Sequence, residues 1–130
     1  MSTKLFILAA SGGAIGAGAR YLVGVGITRL AGPASAFPWA TLTVNVVGSF
    51  AMGVLIEVLA LRFSASPEVR TFLATGVLGG FTTFSAFSLD VVTLLDRKAN
   101  ALAAFYVAGS VGLSILALFA GLHVARQLLS

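Results

Sequence analysis

The sequence predicts an all-α membrane protein with four transmembrane helices, the third broken near mid-membrane. Three observations carry that prediction. Of 130 residues, 58% are hydrophobic and 9% are charged, against about 25% charged in a soluble domain, too little to cover a water-facing surface. Four apolar runs, at about 5–28, 39–61, 71–95 and 101–122, each reach the ~20 residues that a bilayer-crossing helix needs. The third run contains Gly79-Gly80-Phe81-Thr82-Thr83, weak helix formers placed where a span should be most regular.

The same composition excludes other classes. A mean hydropathy of +1.05 is incompatible with a disordered chain. The absence of cysteine removes disulfide scaffolds and Cys-ligated metals. Short breaks with turn residues separate the runs: Ala31-Gly32-Pro33 with Pro38, then Arg62 to Arg70 with Pro67, then Asp96-Arg97-Lys98 with Asn100. Residues 1–130 are therefore read as a single four-span membrane domain. Lys4 ahead of an apolar run resembles a signal peptide, but cleavage would leave three spans and discard a Gly-rich helix suited to packing.

A net charge of +4 and a pI near 10.4 would point to nucleic acid in a soluble protein. Here the basic residues sit at span ends, beside the lipid bilayer's anionic headgroups, and no basic cluster interleaved with aromatics exists. Four spans put both termini on one side with Lys4, Arg62, Arg70 and Arg126, and leave Arg29, Arg97 and Lys98 opposite. That near-balance gives the positive-inside rule nothing to act on. Two readings stay open: an orientation settled by the insertion machinery, or a chain that inserts both ways and pairs with its inverted copy.

In the first span, Gly12 and Gly16 form a GxxxG pair that lets another backbone approach closely. Arg20, at ~2.5–3.5 kcal/mol if placed at mid-membrane, either reaches an interface beside Tyr21, pairs with Asp90, or draws an anion toward a vestibule. In the second span Thr41, Asn45 and Ser49 share one face, as do Tyr106, Ser110 and Ser114 in the fourth. A single Ser or Thr in a membrane helix is ordinary helix glue. Asn45 demands more, because its amide wants several partners where there is no water. Two such stripes suggest an uncharged polar track. A break in the third span would free backbone groups, tolerated only when buried in protein or lining a wet cavity; carbonyls so freed suit a hard cation and N–H groups an anion. Phe81, Phe84 and Phe87 recur every three residues, and ring edges are weakly positive.

Enzyme chemistry has no foothold: there is no Ser/His/Asp set, no phosphate-cradling Gly loop, and His123 stands alone. Of the acids Glu57, Glu68, Asp90 and Asp96, only Asp90 is expected to lie deep.

These motifs resemble the small CrcB/Fluc fluoride channels over essentially the whole chain. Gly12-Gly13-Ala14-Ile15-Gly16-Ala17-Gly18-Ala19-Arg20-Tyr21 is similar to that family's Gly-rich, Arg-terminated opening. Pro38 to Gly48 resembles its Thr-Leu-x-x-Asn-x-x-Gly signature, and Gly79 to Ser88 its Gly-Gly-x-Thr-Thr-Phe-Ser-x-Phe-Ser core. The resemblance implies passive fluoride export that lowers cytoplasmic fluoride, by an antiparallel dual-topology homodimer in a prokaryotic cell inner membrane. It also implies two pores and one structural sodium ion (Na+) at the dimer centre. Carried over by motif, the Gly79 and Thr82 backbone carbonyls would ligate sodium, and Phe84 and Phe87 would line the fluoride pathway. Asn45 would be the pore amide and Tyr106, Ser110 and Ser114 the hydroxyl track, with Thr41, Thr83 and Ser85 beside them. Arg20 and Asp90 would serve the vestibule or the structure. Ala86, Asp90 and Ala40 depart from the usual Thr, Glu and Gly. The rival reading is a small proton-coupled multidrug or guanidinium exporter, which needs a membrane-embedded carboxylate early in the chain; the first span has none. A purely structural subunit would leave the third span's irregular centre without a purpose.

Overall fold

The structure, a computed structural model, describes residues 2–32, 34–61 and 66–130; Pro33 and Arg62, used above for a turn and for the charge balance, lie outside them. Helix α1 (Thr3–Ala31) starts on Ser2, whose side chain accepts the Leu5 N–H, and ends at Gly32 with φ +91°. Helix α2 is Trp39–Leu61. The third apolar run begins as α3 (Pro67–Arg70), widens to a π-helical segment (Thr71–Leu78), and finishes its first half as α4 (Gly79–Phe81). After Thr82 and Thr83 it resumes as α5 (Phe84–Asp96), and α6 (Asn100–Leu129) completes the chain. No strand occurs among the described residues. Four stretches, Thr3–Ala31, Trp39–Leu61, Pro67–Asp96 and Asn100–Leu129, are long and apolar enough to cross a membrane. The protein is a multi-pass membrane protein.

Glycines decide which helices pair. The GxxxG face of α1 lies against the chain's own third apolar run. A Cβ on Gly12 would come within 2.5 Å of the Phe72 carbonyl oxygen, one on Gly16 would overlap the Val77 carbonyl oxygen, and one on Gly80 would come within 2.5 Å of the Gly13 oxygen. The Gly-rich opening is therefore used inside one chain, and its packing face is no argument for a second copy. Gly18 lies off that face, with open space where a Cβ would go. In the same way α2 pairs with α6, where a Cβ on Gly53 would overlap the Leu118 oxygen and one on Gly121 the Phe50 oxygen. Overpacking a tight contact costs about 1–3 kcal/mol. Gly16→Val, with no flexible side chain to yield, should lower the thermal midpoint of the purified protein and broaden its gel-filtration peak; an unchanged midpoint would contradict this packing.

Glu57 is the acid most enclosed by the chain: its residue is 8% exposed and its Oε1 accepts from Arg126 Nε at 2.9 Å. The pair joins α2 to α6 one turn beyond Gly53. At the same end, the exposed Lys4–Glu68 pair at 3.7 Å adds at most about 1 kcal/mol.

The irregular backbone falls at the threonine end of the Gly79–Thr83 string. Both glycines of the Gly79-Gly80 pair are helical, Gly79 with φ −62° and ψ −36°. The extended residues are Thr82 (φ −86°, ψ 159°) and Thr83 (φ −151°, ψ 118°). β-Branched side chains favour extended backbone, and Thr83 gains a capping role, its Oγ1 accepting the Ala86 N–H at 3.2 Å. Gly80 is kept helical by close packing on Gly13.

Candidate functional site

The Thr82–Thr83 step is held from outside by two side chains on different helices. Asn45 of α2 engages Thr83 twice: the Thr83 N–H donates to Asn45 Oδ1 at 2.8 Å, and Asn45 Nδ2 donates to the Thr83 carbonyl at 3.1 Å. Both polar ends of the amide are thus satisfied in one orientation, the requirement that marked it in the sequence. Arg20 of α1 donates from Nε to the Gly80 carbonyl at 3.0 Å. The Arg20–Asp90 pair considered above does not form, because Asp90 Oδ2 accepts from the Tyr106 hydroxyl at 2.9 Å. Arg20 lies one turn beyond Gly16, which packs on Val77 and Phe81, and its guanidinium meets the Gly80 carbonyl along the same contact.

The Gly79 and Thr82 carbonyls, like that of Gly80, lose the donors that an unbroken helix would give them. The Thr83 N–H would go to Gly79, and instead goes to Asn45; the Ala86 N–H would go to Thr82, and instead goes to Thr83 Oγ1. Gly79 is exposed on this chain and Thr82 is half-buried. Thr82 Oγ1 itself bonds back to the Leu78 carbonyl at 3.1 Å.

The remaining candidate residues fall into three groups. A groove of about 400 Å³ between α2, α5 and α6 is lined by Asn45, Thr83, Phe84, Phe87, Ser110 and Ser114, with Ser49 and Thr82 also on its wall. The Phe84 and Phe87 rings are tilted at 48° with centroids 5.5 Å apart; Phe84 is 76% exposed and Phe87 8%. Ser110 is 5% exposed and its Oγ is buried without a hydrogen-bond partner. That sets it apart from Ser11, Thr43, Ser88 and Thr93, whose hydroxyls bond to carbonyls four residues back. The second group is a cavity of about 300 Å³ near the α1–α2 connection, which takes in Thr28, Thr41, Asp90, Thr93 and Arg97. Thr41 thus lies away from the Asn45 groove.

Tyr106 stands between these spaces. It is fully buried, with its ring 5.1 Å from Phe87 and edge-on to Phe37 at 5.5 Å. Its hydroxyl is engaged by Asp90, so spacing alone, which puts Tyr106 in line with Ser110 and Ser114, does not put their hydroxyls in one cavity. Ser85 is exposed and lies outside both linings, its Oγ 3.4 Å from Thr83 Oγ1. The third group is a lateral cavity of about 520 Å³ with Arg20, Tyr21, Arg29, Thr41 and Thr83 on its wall. Sequence reasoning passed over Arg97, Phe37 and the Glu57–Arg126 pair. Only the Gly53-to-Glu57 spacing, which sets a carboxylate one turn from a packing glycine, hinted at the last.

Chemically, the groove offers an amide, hydroxyls and ring edges with no fixed charge, beside a helix interruption that relieves carbonyls of their helical donors. Residues 7–122 match the family described as CrcB-like protein, Camphor Resistance (CrcB). A protein of Agrobacterium fabrum (strain C58 / ATCC 33970) named fluoride-specific ion channel FluC is 60% identical over 121 residues, covering 93% of this chain and 95% of that protein. Proteins of the same name from Chelativorans sp. (strain BNC1) and Rhodospirillum centenum (strain ATCC 51521 / SW) are 58% and 56% identical, each over 123 residues, covering 95% of this chain and 97% and 96% of theirs. The match spans nearly every span and all three sequence motifs, and this chain belongs to the CrcB family.

Proposed function

We propose that this chain is a fluoride-specific ion channel that exports fluoride passively across a prokaryotic inner membrane. The observation that carries the reading is the Ser110 hydroxyl, buried without a partner on a groove otherwise lined by neutral donors and ring edges. It occurs in a chain 60% identical to a protein named for fluoride conduction. Conduction requires sites favourable enough to enter and weak enough to leave. Neutral contacts from Asn45, Ser110, Ser114, Thr83 and the Phe84 and Phe87 edges meet that need, whereas a salt-bridging ligand would trap the ion. Tyr106, oriented by Asp90, closes the groove toward the Thr41 cavity, and Ser85 borders the Phe84 side. A passive pore runs with the membrane potential, and a negative interior drives an anion outward by about 2.3 kcal/mol per 100 mV.

The functional unit is an antiparallel dual-topology homodimer, with the Thr82–Thr83 gap near mid-membrane. Support comes from the groove's open side, the exposure of Phe84 and Gly79, and the near-even basic charge of the two faces. Sodium fits the same centre: the Gly79 and Thr82 carbonyls, relieved of their helical donors, are hard oxygen ligands of the kind a hard cation takes. When bound it would supply a positive field that favours a nearby anion without a basic side chain in the path.

Purified protein in liposomes loaded with potassium fluoride and opened to potassium by valinomycin should release fluoride to an electrode with no proton gradient, while chloride-loaded liposomes release none. Comparable chloride release, or release that needs a proton gradient, would replace this reading with the exporter or with a non-selective pore.

A further inference from the structure

We infer that Arg20 is a positioning residue: its Nε–H caps the C-terminal end of α4 and keeps the Thr82–Thr83 gap open. Its charge as an attractor of anions is secondary. The inference deepens the channel reading and rests on it for the flux measurement below.

The bond is specific in place. In an unbroken helix the Gly80 carbonyl would accept the Phe84 N–H; here Arg20 Nε takes it at 3.0 Å. The end of a helix carries partial negative charge on its unpaired carbonyls, and a carbonyl left unpaired away from water is costly. Without a replacement donor, Gly80 would draw the Phe84 N–H back, closing the gap and turning the Phe84 ring away from the groove. The delivery is built into the packing. Gly16, one turn before Arg20, sits on the Val77 oxygen and the Phe81 nitrogen, so the guanidinium arrives at the next carbonyl along the same contact. The gap thus has two braces, Arg20 on its α4 side and Asn45 on its α5 side. Asn45 holds Thr83 alone and cannot satisfy Gly80.

Arg20 also borders the lateral cavity with Arg29, so a charge-gathering role is the rival, and side-chain bond counts separate the two. Gln places an N–H donor the same number of bonds from Cα as Arg Nε and carries no charge. Lys keeps the charge but puts a methylene at that position, with its ammonium one bond further. Losing a charge-assisted hydrogen bond to a partly buried carbonyl should lower maximal fluoride flux by about tenfold in Arg20→Ala. Arg20→Gln should recover flux to within about threefold of the parent, because the donor is back and only its charge assistance is missing, whereas Arg20→Lys should stay near the Ala variant.

The fluoride concentration at half-maximal flux should be unchanged in all three, since a cap alters the gap and not the ion's arrival. Hydrogen–deuterium exchange of the residue 79–88 segment in nanodiscs should change in the Ala and Lys variants and match the parent in the Gln variant. The cap assignment is overturned if Lys preserves flux and Gln does not, if both behave alike, or if the loss is a raised half-saturating concentration at unchanged maximum. Should the Ala variant fail to assemble, the Gln–Lys comparison decides alone. If the parent protein itself carries no fluoride, the channel reading fails, and the exchange pattern still decides the role of Arg20.

Discussion

Asn45→Asp is expected to stop fluoride flux at neutral pH while the chain still inserts and assembles. Asn45 accepts from the Thr83 N–H and donates to the Thr83 carbonyl, and its amide lines the groove. An ionised carboxylate keeps the first bond and loses the second, setting an oxygen against the carbonyl oxygen. It also places a fixed negative charge in an anion's path. At an effective dielectric of about 20, two like charges 4 Å apart repel by about 4 kcal/mol, close to a thousandfold in rate by ~1.4 kcal/mol per decade. Protonation of the new carboxyl would restore both an acceptor and a donor and remove the charge. Flux through this variant should therefore rise as pH is lowered from about 7.5 to about 5.5, within the range that a poorly solvated carboxyl can titrate. Asn45→Ala separates the two effects: it loses the brace without adding charge, and should be impaired at every pH. Liposome flux across that pH range, with gel filtration to confirm assembly, checks both. An Asn45→Asp protein that conducts at neutral pH as the parent does would remove Asn45 from the pathway.

The difference between what could be read from the sequence and what needed the structure has a physical origin. Span length and apolar content are properties of a segment on its own, so the four membrane helices were legible residue by residue. So was Asn45, because a primary amide in an apolar helix must find two partners wherever the chain runs. Pairings between helices are not local. GxxxG at Gly12 and Gly16 says that something approaches closely, yet nothing in that spacing says whether it is another chain or the third apolar run. Propensity marks the whole Gly79–Thr83 string as weak helix without saying which of its residues leave the helix; Gly80 packs on Gly13 and stays helical, and the extended backbone is at Thr82 and Thr83. Spacing put Tyr106, Ser110 and Ser114 on one face, and they are on one face. The length of the Tyr side chain is what carries its hydroxyl away to Asp90, out of reach of a rule based on Cα positions. The Glu57–Arg126 pair joins residues 69 apart in sequence, and no periodicity connects them.

Phe84→Ile should cut fluoride flux by at least about tenfold while leaving the fold of the single chain intact, since within that chain the Phe84 ring packs on Phe87 and little else. The two phenylalanines of the groove are unequal, and the inequality makes this a clean test. Phe87 is 8% exposed and packs tilted against Tyr106 at 5.1 Å, so its loss would damage the packed cluster it shares with Leu94, Ala103 and Tyr106. Phe84 is 76% exposed on one chain, sits on the first turn of α5, and touches the groove with little else depending on it. Isoleucine keeps much of its bulk and apolar character. What it removes is the ring's quadrupole, whose positive edge is the only attractive contact an uncharged apolar side chain can offer an anion. If Phe84 merely narrowed the groove, Ile would substitute for it and flux would persist. If the edge is a binding contact, flux falls while thermal stability, assembly and the Asn45–Thr83 brace are preserved. Phe87→Ile provides the contrast, since it should lower both flux and the thermal midpoint. Parental fluoride flux in a well-folded Phe84→Ile protein would show that the ring edge contributes nothing to permeation, and the pathway would then have to run on the Asn45, Ser110 and Ser114 wall alone.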